Sequence, residues 1–207
     1  MPYSIDPLTA DCYDGTSCLI NKLNIHDAFR LAEVEASITF AKNSELEQHP
    51  FPGNFDFEHY KAIHRFLFED IYEWAGQIRT VDMSKKGTSF TNASEIEKNA
   101  AFCFDRLRSM NYFKDLSFDE FIDEITDFYC TTNLLHPFRE GNGRTQRAFL
   151  TQLIRNAGYD IDFSEMEPDE LMIATFFSAQ GVTDQLRELF YTHISPSNEQ
   201  NIIPSLI

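Results

Sequence analysis

The chain has 207 residues, 43% of them hydrophobic and 14% aromatic, enough for one well-buried core and marginal for two domains. Twenty phenylalanines among mixed charges argue against disorder, and no run approaches the roughly 18 to 20 apolar residues that a membrane helix requires. Thirty-three acidic against 17 basic residues give a net charge of −16. That balance repels nucleic acid, and it admits a nucleotide only where positive charge is concentrated locally.

The N-terminal stretch MPYSIDPLTADCYDG has neither a basic n-region nor an apolar h-region, so it does not read as a signal peptide and a cytoplasmic protein is expected. Cys12 and Cys18 lack the C-x2-C spacing of a zinc site. Cys103 and Cys130 fall in apolar helical patterns, and all four cysteines are expected to be free thiols.

After a loose arm over residues 1–20, a first helix is predicted through IHDAFRLAEVEASITFAKN. Pro50, Pro52 and Gly53 punctuate the chain. Tyr60, Ile63, Leu67, Ile71 and Trp74 then recur at spacings of three and four, predicting a second helix that Gly76 is placed to end. His59 and His64 on it read as surface or core-edge residues. The stretch QIRTVDMSKKGTSF alternates imperfectly at Ile78, Val81 and Met83, and KKG supplies a turn, which predicts a short β-hairpin leaning on helices.

Helical patterns resume with Ser94 and Glu97 in capping-box spacing. Ser117 is a predicted cap for the helix carrying Phe121, Ile122, Ile125, Phe128 and Tyr129. A further helix is predicted over 143–157, ending at Gly158, and others near 167–179 and 182–194. The fold class is all-α with one hairpin.

Between two of these helices lies HPFREGNGRT, too elaborate for a connector. A residue before proline is pushed away from helical backbone angles, so His136 is expected to leave the preceding helix and present its ring as a general base. The end of that helix would favour imidazolium and weaken the base. The glycines of GNG let backbone N–H groups approach an oxyanion at the start of the next helix. Arg144 and Arg147, three apart, share a face opposite Phe149, Leu153 and Ala157, and guanidinium suits phosphate. Glu140 within this positive cluster makes sense through Mg²⁺, which takes one or two carboxylates plus phosphate oxygens. His136 and Glu140 as ligands of a metallohydrolase fail for want of further ligands nearby.

HPFREGNGRTQR matches without departure the signature H-P-F-x-[D/E]-G-N-G-R-x-x-R, and on it the chain resembles the Fic family. IHRFLFEDIYEWAGQIRTV is similar to the segment before that family's active-site flap. The resemblance implies a Fic-type helical bundle over residues 21–195, with a hairpin flap above the active site and a tail over 196–207. It also implies transfer of AMP from ATP to a protein Ser, Thr or Tyr hydroxyl, with pyrophosphate released. His136 would be the base and Glu140 the Mg²⁺ carboxylate. Phe138, Gly141, Asn142 and Gly143 would belong to the nucleotide and anion site, and Arg144 and Arg147 would hold the β- and γ-phosphates. Lys85, Lys86, Gly87, Thr88, Ser89 and Phe90 would form the flap that pairs with an extended stretch of target. Transfer of another phosphate-linked group, removal of AMP, or a non-catalytic nucleotide-binding module are the alternatives.

Many members of that family are held inactive by a helix with the pattern [S/T]-x-x-x-E-[G/N], whose glutamate pairs with the second signature arginine, Arg147 in this chain. LAEVEA offers Glu35, but with Leu31 and Ala36 in the flanking places. SPSNEQN offers Ser195 as a cap, Pro196 at the first helical position and Glu199 as the inhibitory residue, but Gln200 stands where the pattern has Gly or Asn, and a frayed tail is the favoured reading. YDGTSCLINKLNI is similar to family toxins whose inhibitory motif sits on a separate small antitoxin, so a partner of that kind is expected.

Overall fold

The computed structural model describes residues 11–85 and 87–197; Lys86 and Glu199 lie outside the described residues. Seven helices carry this part of the chain: α1 (Ala28–Gln48), α2 (Phe57–Phe68), α3 (Ile96–Ser109), α4 (Phe118–Leu135), α5 (Asn142–Asn156), α6 (Pro168–Ser178) and α7 (Asp184–His193). Two small antiparallel sheets join them, β1 (Ser84–Lys85) with β2 (Thr88–Ser89) and β3 (Tyr159–Ile161) with β4 (Ile194–Pro196). No helix among the described residues is long and apolar enough to cross a membrane.

α5 is the hub, with α1, α2, α4 and β3 packed around it. Its Phe149 is fully buried and meets the rings of His59, Tyr60, Phe104 and Phe128 at centroid distances of 5.3–5.9 Å. Much of the phenylalanine content thus lies in one aromatic core, with His59, Tyr60 and Phe104 edge-on to Phe149 and Phe128 stacked on it, arrangements that ring quadrupoles favour. Ser117 begins α4 with a capping box to Glu120, as its position predicts.

Several sequence expectations are corrected. α1 begins at the Asp27 cap and runs five residues past Asn43. α2 stops at Phe68, so Ile71 and Trp74 belong to the turns that follow it; tertiary packing of those apolar side chains imitates helical spacing. Ser94 sits inside a 3-10 turn, whose first N–H, that of Ala93, goes to the Asp82 carboxylate at 2.7 Å, and α3 starts without a side-chain cap. Ile78, Val81 and Met83 lie outside the hairpin's strands. Ser195 and Pro196 do not cap a helix, since both are in β4, opposite Asp160 and Tyr159. That second sheet was not foreseen, three residues per strand being too few to show alternation. His59 and His64 are both buried. The four cysteines are free.

Candidate active site

His136 stands where α4 ends. It takes the left-handed conformation, φ 42° and ψ 59°, so Pro137 can follow and the chain turns away. The ring is buried, 6% of the residue remaining exposed, and lies flat against Phe90 of the flap at 3.7 Å and 9°. Nδ1 is 3.1 Å from the carbonyl of Asn133. A carbonyl can only accept, so Nδ1 carries the proton and Nε2 holds the lone pair. Burial, reinforced by the charges of Arg79 and Lys85, pushes the imidazole down to about 3. The imidazolium that the helix end would favour is therefore not the form held here, burial being the largest influence on the ring.

The rest of the loop is locked from below. Phe138 is fully buried and stacks on His64 at 3.8 Å. Asn142 zips the turn closed, accepting from the Phe138 N–H at 2.8 Å and donating to its carbonyl at 2.7 Å. Its side chain is thereby committed to the loop, and the first-turn N–H groups of α5 remain as anion donors. Gly141 has φ +80°, and an added Cβ would lie 2.2 Å from Phe68 Cζ. His64 fixes the next carbonyl: its Nδ1 accepts from the Gly76 N–H at 2.8 Å while Nε2 donates to the Glu140 carbonyl at 3.0 Å.

The three loop arginines separate. Arg139 turns to the N-terminal arm and pairs with Asp11 at 3.1 Å. Arg144 turns to α1, where Glu35 accepts from its Nη2 and Thr39 from its Nη1. Arg147 faces the cavity, with Nη1 close enough to Gly143 to lie 3.3 Å from a Cβ built there. Burial lowers its affinity for its own proton, and among the described residues no carboxylate pairs with it.

That cavity, about 380 Å³, is lined by His136, Asn142, Gly143 and Arg147 and also by the apolar Phe163, Met166, Met172 and Phe176. Lys85, Thr88 and Phe90 bring the flap over it; Gly87 at φ +85° makes the turn and Ser89 points to solvent. Phe138, Glu140, Gly141 and Arg144 are adjacent but do not line it. The volume and an apolar slot beside convergent polar groups suit a small organic anion.

Glu140 accepts from the Gly141 N–H at 2.9 Å. Withdrawal from water and then the charge of Glu35 raise its proton affinity, so a cation would be welcome there. No cluster of three acidic, histidine or cysteine ligands exists among the described residues. A lone carboxylate fits Mg²⁺ that arrives on phosphate oxygens and keeps its waters.

Sequence reasoning missed Arg79, Gln146 and Glu35 in its partnership with Arg144. Arg79 is 4% exposed, and the only signal was a charge between the apolar Ile78 and Val81. Gln146 donates to the Tyr129 carbonyl and Thr132 Oγ1 at 2.8 and 2.7 Å, tying α5 to α4 along the cavity wall.

A neutral histidine and an arginine flank the N-terminus of α5 in one cavity, an arrangement of the kind found in helical anion-binding domains. The sequence profile of the Fic/DOC family matches residues 54–154. Protein adenylyltransferase VbhT of Bartonella schoenbuchensis is 37% identical over 87% of this chain, which spans only 38% of that relative's length. Probable protein adenylyltransferase y4lH of Sinorhizobium fredii is 40% identical, with 85% of this chain and 89% of the relative covered. The N-terminal Fic domain of a VirB-translocated Bep effector from Bartonella quintana, solved with bound ADP, superposes with a TM-score of 0.87 at 29% identity, covering 92% and 96% of the two chains. The chain belongs to the Fic/DOC family.

Proposed function

We infer that this protein is an adenylyltransferase that moves AMP from ATP to a hydroxyl of a target protein. The observation that carries this reading is one cavity shared by a neutral, oriented histidine, a half-buried arginine without a carboxylate partner among the described residues, and an apolar slot. His136 Nε2 takes the proton of a Ser, Thr or Tyr hydroxyl as its oxygen attacks the α-phosphorus; the bond to the bridging oxygen breaks and pyrophosphate leaves. The N–H groups at the start of α5 receive the negative charge that develops on the α-phosphate oxygens. Arg147 holds the terminal phosphate and the apolar lining takes the base. Glu140 would hold Mg²⁺, which when bound neutralises charge on the phosphates.

The flap strands, Ser84–Lys85 and Thr88–Ser89, lie over the cavity beside His136 and suit main-chain pairing with an extended target segment. A small antitoxin is a partner of this reading too, because Arg147 presents to the cavity the guanidinium that an incoming glutamate would engage. A cytoplasmic setting agrees with reduced cysteines and the need for ATP.

Incubation with labelled ATP tests the reaction. Label from α-³²P-ATP but not γ-³²P-ATP, lost in His136→Ala, is the expected result. Label from γ-³²P-ATP would mean phosphoryl transfer, and neither label would leave a nucleotide-binding module.

A further inference from the structure

Glu35 is a carboxylate almost wholly withdrawn from water, 6% exposed, in the middle of α1. Burying such a charge is costly unless it is paired and hydrogen-bonded. Both of its oxygens are used: Oε2 accepts from the Tyr72 hydroxyl and Oε1 from Arg144 Nη2. Thr39, one turn along the helix, accepts from Arg144 Nη1 at 3.2 Å. Its own hydroxyl hydrogen is spent on the Glu35 carbonyl at 2.8 Å, so its role towards Arg144 is that of acceptor. Phe68 lies under the guanidinium, 4.8 Å from its central carbon, and Glu140 Oε1 is 3.6 Å from the same Nη2.

A free arginine side chain is rotamer-rich, and a planar fork gripped along one edge loses that freedom before any ligand arrives. Two acceptors and a ring hold the α1 side of Arg144. Guanidinium has five N–H donors, so the grip leaves others for an anion. Glu35 also differs from the inhibitory glutamate of the family pattern, since it engages Arg144 and not Arg147, and no Ser, Thr, Gly or Asn flanks it in the required places.

We propose that Glu35 is a positioning residue for adenylyl transfer: with Thr39 and Tyr72 it pre-orients Arg144 so that its remaining N–H groups meet the phosphate chain beside Glu140. This rests on the adenylyl-transfer reading above. Glu35→Gln keeps the shape but gives up the charge, and Tyr72→Phe removes one hydrogen bond to Glu35 without touching Arg144.

The experiment measures autolabelling by α-³²P-ATP and Mg-AMPPNP binding for the full chain, in Glu35→Gln, Tyr72→Phe, Arg144→Ala and the Glu35→Gln/Arg144→Ala pair. Melting curves select variants that are folded at the assay temperature. The expected result is a fall of about tenfold in labelling rate for Glu35→Gln, with nucleotide affinity changed less than about threefold, and a smaller fall for Tyr72→Phe. Added to Arg144→Ala, Glu35→Gln changes nothing further. Should Glu35→Gln prove unfolded, the Tyr72→Phe rate and its combination with Arg144→Ala decide the matter in the same way. Faster labelling in either variant would mean restraint of Arg144 instead of positioning, and a multiplied loss in the pair would mean an effect that bypasses Arg144. Either overturns the proposal. If Arg144→Ala alone labels normally, the phosphate role of Arg144 and this inference fall together, while loss of label in His136→Ala still upholds adenylyl transfer.

Discussion

Arg79 donates from Nε to the main-chain carbonyl of His136 at 2.8 Å. The same buried guanidinium donates from Nη1 to the Val81 carbonyl at 2.5 Å and from Nη2 to that of Thr91. One side chain therefore ties both feet of the flap to the backbone of His136. It also explains how a hairpin with two residues per strand holds its place over the cavity, since so short a ribbon has little stability of its own.

Arg79→Lys is expected to break this tie, because an ammonium on a flexible stem cannot satisfy three carbonyls in one plane. Each lost bond to a charged donor is worth about 1.5–3 kcal/mol. We expect a melting temperature lower by at least about 4 °C, labelling reduced by about tenfold or more, and faster protease cleavage within residues 84–90. An unchanged cleavage pattern would sink the idea that Arg79 holds the flap.

His136 and His64 are each pushed down to about 3 from 6.5, chiefly by burial. Below pH 6.5 the unfolded chain takes up protons on these rings that the folded protein refuses until near pH 3. Stability must therefore fall as pH drops through that window, by up to about 1.4 kcal/mol per pH unit for each ring. Urea midpoints measured between about pH 7.5 and pH 5 should decline less steeply in His136→Asn than in the unaltered protein. If His136 is the base proposed above, the labelling rate should show no inflection near pH 6.5, because that ring is already neutral there.

Much of this site was legible in the sequence because its logic is local. Pro137 frees His136, and the glycines bare the start of α5, all within one connection. What stayed hidden depends on contacts between residues far apart in the chain. Glu35 meets Arg144 across 109 positions and Arg79 meets His136 across 57, and no periodicity records such pairs. Arg144 and Arg147 do share a helical face by spacing. The sequence could not show that α1 would grip Arg144 while Arg147 lined the cavity.

Gly141 combines φ +80° with an approach to Phe68 that no side chain tolerates. Gly141→Ala is expected to cost about 1–2 kcal/mol in left-handed strain alone, plus the displacement of a fully buried ring. Because that ring also supports Arg144, both the melting temperature and nucleotide binding should drop. Phe68→Leu in the same chain should recover part of the stability by making room, leaving the backbone strain in place. Full recovery by that second change would show that strain contributes nothing.

Arg147 places stability and function in opposition. Its guanidinium is partly withdrawn from water and pairs with no carboxylate among the described residues, an unfavourable state that an anion would relieve. Replacing it with methionine, which keeps most of the length and none of the charge, should leave the melting temperature equal or higher. ATP affinity should fall by about tenfold or more, in line with one charge-assisted phosphate contact, while AMP, lacking the terminal phosphates, should bind with unchanged affinity. Calorimetric titration with ATP and AMP separates these outcomes. Equal losses for both nucleotides would place Arg147 on the α-phosphate, and a lowered melting temperature would mean that its side chain is already satisfied within the fold.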